Sequence, residues 1–375
     1  MIEIDGRSLT LEAFDDAVHR ARECRLPDPA RARMQAAREV VLRAIERGEP
    51  MYGINTGFGD LAGVNIPAAK LRTLQQRLVL SHCAGVGEPL AADAVRGMLL
   101  LRANALAGGH SGVRPAVVEA LLTLLNRNVL PMVPSRGSVG ASGDLAPLAH
   151  LAAVLLGEGE ALVGGERRPA RQALDAAGLT PLTLEAKEGL ALINGTQAMT
   201  SLLALAVLGA RRLVKLADLI GAMATDALRG TDTAFDPRLH DLRPHPGQRA
   251  SAANLWALLQ GSRIRESHRS GDDKVQDPYS FRCMPQVHGA VRDVLADVEA
   301  KLVIEMNAVT DNPLVFVDQG DLVSGGNFHG EPMAMAADFL SIALAELGAI
   351  SERRIEKLTN ASFSVCRPSK LKSRG

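Results

Sequence analysis

Residues 198 to 229 are apolar on nearly every side. A helix without a polar stripe has to be covered all round, so this segment predicts other helices packed about it. Two later segments agree. Val291, Leu295, Val298 and Leu302 step by four, three and four, and Ala336, Leu340, Ala343, Leu347 and Ile350 repeat that rhythm. Such seams belong to long helices lying nearly parallel in a bundle. Only 3% of the residues are aromatic while 47% are hydrophobic, so the core is built from Ala, Leu and Val, which suits helix packing. The expected fold is mainly α.

The preceding part of the chain reads differently. Arg72 to Leu80, Ala91 to Ala107 and Val113 to Leu125 carry helical apolar spacing, broken by Gly and Pro. Short hairpins are expected around Leu162 to Glu166 and from Leu314 to Val323, and Pro332 suits a first helical turn. The predicted organisation is an irregular helical N-terminal domain over 1–195, a helical bundle over 196–360, and a basic tail over 361–375.

Lys+Arg 42 against Asp+Glu 42 leaves no net charge, which argues against a nucleic-acid or polybasic membrane surface. Cys24, Cys83, Cys283 and Cys366 lack CxxC spacing, and the start Met-Ile-Glu-Ile-Asp-Gly-Arg has no apolar signal core. The longest apolar run, 198 to 210, ends at Arg211-Arg212, short of the ~18 residues of a membrane span. A cytoplasmic location is expected. No HxxxH pair suggests a metal, and no glycine-rich segment carries the Gly-Lys-Ser/Thr of a nucleotide loop.

The glycine-rich segments carry the chemistry. Gly137-Ser-Val-Gly-Ala-Ser-Gly-Asp-Leu-Ala-Pro-Leu-Ala-His150 resembles the signature of the histidine and aromatic amino-acid ammonia-lyase family. Four more motifs match in family order: Tyr52-Gly-Ile-Asn-Thr-Gly-Phe-Gly59, Leu192-Ile-Asn-Gly-Thr-Gln197, Val275-Gln-Asp-Pro-Tyr-Ser-Phe-Arg282 with Pro285-Gln286, and Thr310-Asp-Asn-Pro313 with Ser324-Gly-Gly-Asn-Phe-His-Gly330. The resemblance implies the mainly α fold of the ammonia-lyase/fumarase-like superfamily. It also implies that Ala141, Ser142 and Gly143 cyclise without help into 4-methylideneimidazol-5-one (MIO), an electrophile that no ordinary side chain provides. Gly143 has no Cβ, so its amide can approach the Ala141 carbonyl closely.

Roles then follow by resemblance. Arg282 offers a planar fork for a substrate carboxylate. Tyr52 resembles the base that takes the β-proton, and Asn194 the partner of the MIO ring or the substrate amine. Tyr279 and Gln276 line the same site, and Phe328 packs against the ring system. The sequence leaves open which tyrosine moves which proton, and whether substrate amine or ring attacks the electrophile. Ser81-His82 resembles the histidine-lyase pattern, since a neutral imidazole can both donate to and accept from a substrate imidazole. The implied reaction is elimination of ammonia from L-histidine to trans-urocanate. A tyrosine or phenylalanine ammonia-lyase and an MIO aminomutase are the enzymatic alternatives. The family's homotetramers combine residues of more than one subunit, and the two apolar seams are expected to be the faces where copies meet.

Agreement with the family pattern is expected to end near Asn360. Family members continue with Leu-Pro-Ala-Phe and a C-terminal helical region holding a site glutamate. Codons for Val365-Cys366-Arg367-Pro368-Ser369, shifted by one base, can spell Leu-Pro-Ala-Phe, so a frameshift is the expected origin of the tail. A chain lacking that region is expected to be aggregation-prone, with little or no lyase activity; a non-catalytic remnant is the alternative from another functional class.

Overall fold

The computed structural model describes residues 1–48, 50–56, 66–272 and 274–360; the tail from 361 on, with its frameshift reading, lies outside the described residues. The chain is mainly α and divides into two compact units. One comprises Met1–Leu205 with Lys301–Ala334, the other Ala206–Ala300 with the described residues that follow Ala334.

The centre of the first unit is the helix Ala92–Ala107, in which every residue from Ala94 to Ala107 is buried. It packs against Leu11–His19, Asp28–Arg47 and Pro115–Asn126. Pro at the first turn of Pro115–Asn126 costs nothing there, because that N–H has no helical partner anyway. Beside these lie Leu71–Ser81, Leu145–Leu155 and Glu188–Ile193, each touching the other two. Small sheets trim the unit. Val129–Pro131, Glu160–Val163 and Glu166–Pro169 form an antiparallel three-stranded sheet, with Val163 opposite Glu166 across the expected hairpin. Leu314–Phe316 pairs with Asp321–Val323, so the second hairpin also forms.

The second unit is built from long helices. Gln197–Ala227, Met284–Met306 and Glu331–Thr359 have most of their length in it, and Pro246–Leu259 lies wholly within it. Ala222, Phe235, Leu255, Leu259, Met284 and Ile350 make one hydrophobic core cluster.

Two expectations are corrected. The helix over 197–227 is not covered on all faces: Leu213, Leu216, Leu219, Ile220 and Met223 are exposed within the chain. The seams are not faces left open for another copy either. Val291, Leu295, Val298 and Leu302, and Ala336 through Ile350 at the seam spacing, are all buried in the chain. The exposed stripe on Glu331–Thr359 is the neighbouring set Met335, Phe339 and Ile342. Apolar periodicity reports that a helix face is covered, not whether the same chain covers it. Among the described residues two helical stretches, Glu188–Ala227 and Glu331–Thr359, are long and apolar enough to cross a membrane by length and composition; most of the first is buried inside the chain.

A polar knot fixes the second unit. The Asp218 carboxylate accepts from Ser251 Oγ (2.6 Å), Asn254 Nδ2 (2.9 Å), His288 Nδ1 (2.8 Å) and Arg292. His288 Nε2 accepts from Arg354 Nη1 at 3.3 Å. Both ring nitrogens are thus committed, which requires the neutral imidazole. Burial, with the Arg354 and Arg292 charges, pushes His288 below its ordinary value against the pull of Asp218. In the unfolded chain His288 titrates near 6.5. Above that pH neither state binds the proton and the full stability is present. Below it the unfolded chain takes a proton that the fold resists, so stability falls as pH falls. Urea unfolding at stepped pH is expected to show that decline, and His288→Gln to remove this share of it; an unchanged slope would count against the knot. Asp218→Ala breaks the ion pair with Arg292 and removes the shared acceptor of Ser251, Asn254 and His288, and is expected to cost about 3–5 kcal/mol.

Candidate active site

The three mutually packed helices of the first unit bring their ends together. His82 is the residue just past Leu71–Ser81, Asp144 precedes Leu145–Leu155, and Asn194 follows Glu188–Ile193. A cavity of about 550 Å³ opens there, lined by Tyr52, His82, Ser142, Asn194, Asn312 and Phe328 among others. Five of the expected site residues therefore meet in one place.

Each is held by identifiable bonds. Gly53, after Tyr52, has a left-handed φ of 72°, and its carbonyl accepts from Gln75 Nε2 at 3.4 Å. The Gln75 side-chain oxygen accepts from the amides of Gly189 (2.8 Å) and Leu190 (3.2 Å). One buried glutamine thus ties the tyrosine loop to the start of the helix that ends at Asn194. Gly57, Phe58 and Gly59 of the tyrosine motif lie outside the described residues. The start of that helix is fixed again by Arg114, whose Nε and Nη2 each donate to the fully buried Glu188 carboxylate at 2.7 Å.

His82 Nδ1 lies 2.8 Å from the Leu78 carbonyl oxygen. A carbonyl only accepts, so Nδ1 carries the hydrogen, and the Nε2 of the neutral ring is left as an acceptor. Ser81 Oγ donates to the same carbonyl at 2.9 Å. The Ser81-His82 pair therefore works as one device closing the last helical turn.

The Ala141-Ser142-Gly143 tripeptide forms a tight turn in which the Gly143 amide donates to the Gly140 carbonyl at 3.1 Å and short backbone bridges join Gly140 and Ala141 to Gly143. Gly143 has a φ of 76°, and a Cβ there would stand 2.5 Å from the Gly195 carbonyl oxygen, so glycine is required twice over. Asn194 Nδ2 donates to the Ser142 carbonyl at 3.0 Å. The Asp144 amide donates to the Gly195 carbonyl at 2.7 Å. The Asp144 carboxylate accepts from Ser138 Oγ (2.6 Å) and from the Met199 amide (2.9 Å) in the first turn of Gln197–Ala227. A negative charge at that helix start is favourable, although burial pushes the Asp144 carboxyl upward. A compact turn, a carbonyl with a fixed donor and a position closed to any side chain all fit a tripeptide poised for cyclisation.

Behind this turn lies a buried cluster that the sequence reading missed. Arg102, fully buried in the helix Ala92–Ala107, donates from Nη1 to Gln197 Oε1 (2.7 Å), the Thr310 carbonyl (3.1 Å) and the Asn194 carbonyl (3.3 Å). Lys187 Nζ donates to Asp311 at 2.6 Å with both side chains fully buried. Burial pushes Arg102 down to about 10, with Asp311 pulling the other way, and it lowers Lys187 as well. The available signal was a lone arginine inside the apolar run Met98–Ala107.

The fourth motif lies in the second unit. Gln276 and Arg282 line a cavity there of about 560 Å³, with Arg265, His268 and Cys283. Arg282 Nε donates to the Asp277 carbonyl at 2.7 Å. With its amide turned to satisfy both ends, the Gln276 oxygen accepts from Arg282 Nε and Nη2 at 2.9 Å each, and from Nη1. The guanidinium fork is thus oriented before any ligand arrives. Tyr279 starts the short helix Tyr279–Arg282, is 55% exposed, and lines neither cavity. Among the described residues no group of three His, Cys, Asp or Glu could hold a metal ion.

Comparison with known proteins agrees with this geometry. The model of the family "Aromatic amino acid lyase" matches residues 9–374. A histidine ammonia-lyase from Stigmatella aurantiaca is 53% identical over 374 residues, covering all of this chain and 73% of that one. The crystal structure of histidine ammonia-lyase from Trypanosoma cruzi superposes with a TM-score of 0.88 at 44% identity, over 97% of this chain and 68% of that one. Tyrosine aminomutase from Streptomyces globisporus superposes with a TM-score of 0.90 at 39% identity, over 96% and 72%. By motif, by geometry and by these likenesses, the chain belongs to the aromatic amino acid lyase family.

Proposed function

We propose that this chain is a histidine ammonia-lyase, a carbon–nitrogen lyase that eliminates ammonia from L-histidine to give trans-urocanate. The observation that carries the substrate is the Ser81-His82 device. With Nδ1 held on the Leu78 carbonyl, His82 keeps Nε2 as an acceptor, and it lines a cavity whose wall also includes Leu78, Leu145 and Ile193. A substrate imidazole can donate its N–H there; a phenyl ring cannot. A site built to pair with a ring N–H discriminates strongly against a ring without one.

The MIO group, formed from Ala141, Ser142 and Gly143, would supply an electrophile that turns the substrate's amine into a better leaving group. Asn194 holds the Ser142 carbonyl, which becomes part of that ring. Tyr52 takes the β-proton at its hydroxyl; in support, it lines the same cavity as Ser142 and His82, whereas Tyr279 does not. Arg282 lines a separate cavity of the second unit, so in the assembled enzyme it would pair with the carboxylate of a substrate held by another copy; the orientation that Gln276 and Asp277 impose on its fork supports that role. Phe328 and the aliphatic wall exclude water from the elimination. The working form is a cytoplasmic homotetramer. Its support is the exposed apolar set Leu213, Leu216, Ile220, Met335, Phe339 and Ile342, which a second copy would cover.

The aminomutase reading is kept by the likeness to tyrosine aminomutase. Incubation with L-histidine and product analysis separates the two. Urocanate with free ammonia is expected, and Ser142→Ala is expected to abolish it; a β-amino acid product would overturn the lyase reading. Intact mass of the purified chain is expected to fall short of the sequence mass by two waters. A full-mass chain that turns over no substrate would leave the remnant reading standing. His82→Leu is expected to lower kcat/KM for histidine by at least about 100-fold, the scale of a lost ring hydrogen bond in a buried site. An unchanged preference would remove the substrate assignment. Light scattering tests assembly, and a stable soluble monomer would contradict it.

A further inference from the structure

The proposed chemistry makes no use of Arg102. A cation in the middle of a helix buried all round is costly unless its bonds are worth more than an apolar side chain's packing. Its bonds are specific: one nitrogen, Nη1, reaches the Asn194 carbonyl, the Gln197 side-chain oxygen and the Thr310 carbonyl. Gln197 Nε2 in turn donates to Thr310 Oγ1 at 2.6 Å. Between these groups and the tripeptide lies a single residue, Gly195. A Cβ on Gly195 would overlap Arg102 Nη1 and Gln197 Oε1, and a Cβ on Gly143 would run into the Gly195 backbone on its other side. Guanidinium, Gly195 peptide and Gly143 turn are therefore stacked with no room for a methyl group in either gap.

We infer that Arg102 is a positioning residue for ring closure of the tripeptide. It braces the Asn194–Gln197 turn from behind, so that the Gly195 carbonyl, which accepts from the Asp144 amide, and the Asn194 side-chain amide, which donates to the Ser142 carbonyl, keep Ala141-Ser142-Gly143 in the compact form from which closure starts. This rests on the reading that the tripeptide cyclises. In that reaction the Gly143 nitrogen bonds to the Ala141 carbonyl carbon. The first water leaves with the Ala141 oxygen and the amide hydrogens of Gly143 and Ser142. The second leaves with the Ser142 hydroxyl and its Cα hydrogen. The bond-forming step depends on how long the amide and carbonyl are held in contact, which is what a rigid support raises. The second loss is eased by Asn194, because a donor on the Ser142 carbonyl makes the adjacent Cα–H more acidic. Both aids are mounted on the turn that Arg102 braces.

Arg102→Lys keeps the charge beside Asp311 but cannot present a planar donor at the same point. Cell-free synthesis with intact-mass readings at successive times follows the loss of two waters without any activity assay. The wild-type chain is expected to lose both. Folded Arg102→Lys, with unchanged circular dichroism and melting temperature, is expected to lose them at least about tenfold more slowly, as weaker positioning predicts. A folded variant that cyclises at the wild-type rate overturns the role of Arg102 while leaving cyclisation itself intact. Should Arg102→Lys fail to fold, Gln197→Met decides, since it removes one arm of the brace and leaves the cation in place: slowed closure supports the inference, wild-type closure overturns it. A wild-type chain that stays at full mass sinks the cyclisation reading and this inference with it.

Discussion

Two cations and one carboxylate, Arg102, Lys187 and Asp311, lie together with essentially no exposure. Charges so buried are tolerated only when each finds partners, because their lost hydration is worth several kcal/mol apiece. That requirement organises the first unit. Lys187 immediately precedes the helix Glu188–Ile193 that ends at Asn194, Asp311 immediately precedes the cavity residue Asn312, and Arg102 sits in the central helix. Pairing Lys187 with Asp311 joins segments 124 residues apart, and the Arg102 bonds to Thr310 and Asn194 close the same junction from a third direction. The glycine contacts at the tripeptide exist because this junction stays put.

Much of this was legible from the residues. Helices around Arg72 to Leu80, Ala91 to Ala107 and Val113 to Leu125 appear nearly where apolar spacing puts them, since that spacing and helix burial have the same cause. The hairpins follow from their turn residues; Gly164 and Gly165 both take positive φ between the strands they join. The meeting of Tyr52, His82, Ser142, Asn194 and Phe328 followed from resemblance, not from periodicity.

What the sequence hid was of two kinds. Polar brackets such as Gln75, Arg114–Glu188 and Arg102 act across long stretches of chain, and a single buried polar residue leaves no periodic trace. The faces of long helices were misassigned for another reason. Met335, Phe339 and Ile342 are as apolar as the buried Leu340 and Leu347 beside them, so composition alone cannot say which row the same chain covers. The fold is also indifferent to the chemistry run on it. A histidine ammonia-lyase and a tyrosine aminomutase superpose on this chain with nearly equal TM-scores, so the backbone shared over this stretch does not by itself tell the two apart.

The bond from His82 to the Leu78 carbonyl has a dynamic side. That carbonyl belongs to the final turn of Leu71–Ser81, where main-chain acceptors run out of helical donors and side chains have to serve instead. The orientation of the imidazole and the integrity of the turn are therefore one equilibrium. Helix ends open locally far more readily than whole domains unfold, and each opening frees the ring to rotate and present either nitrogen. The orientation of the imidazole is therefore set by the closing free energy of this one turn, a quantity that amide exchange at His82 and Cys83, whose N–H groups bond back to Val79 and Leu80, would report.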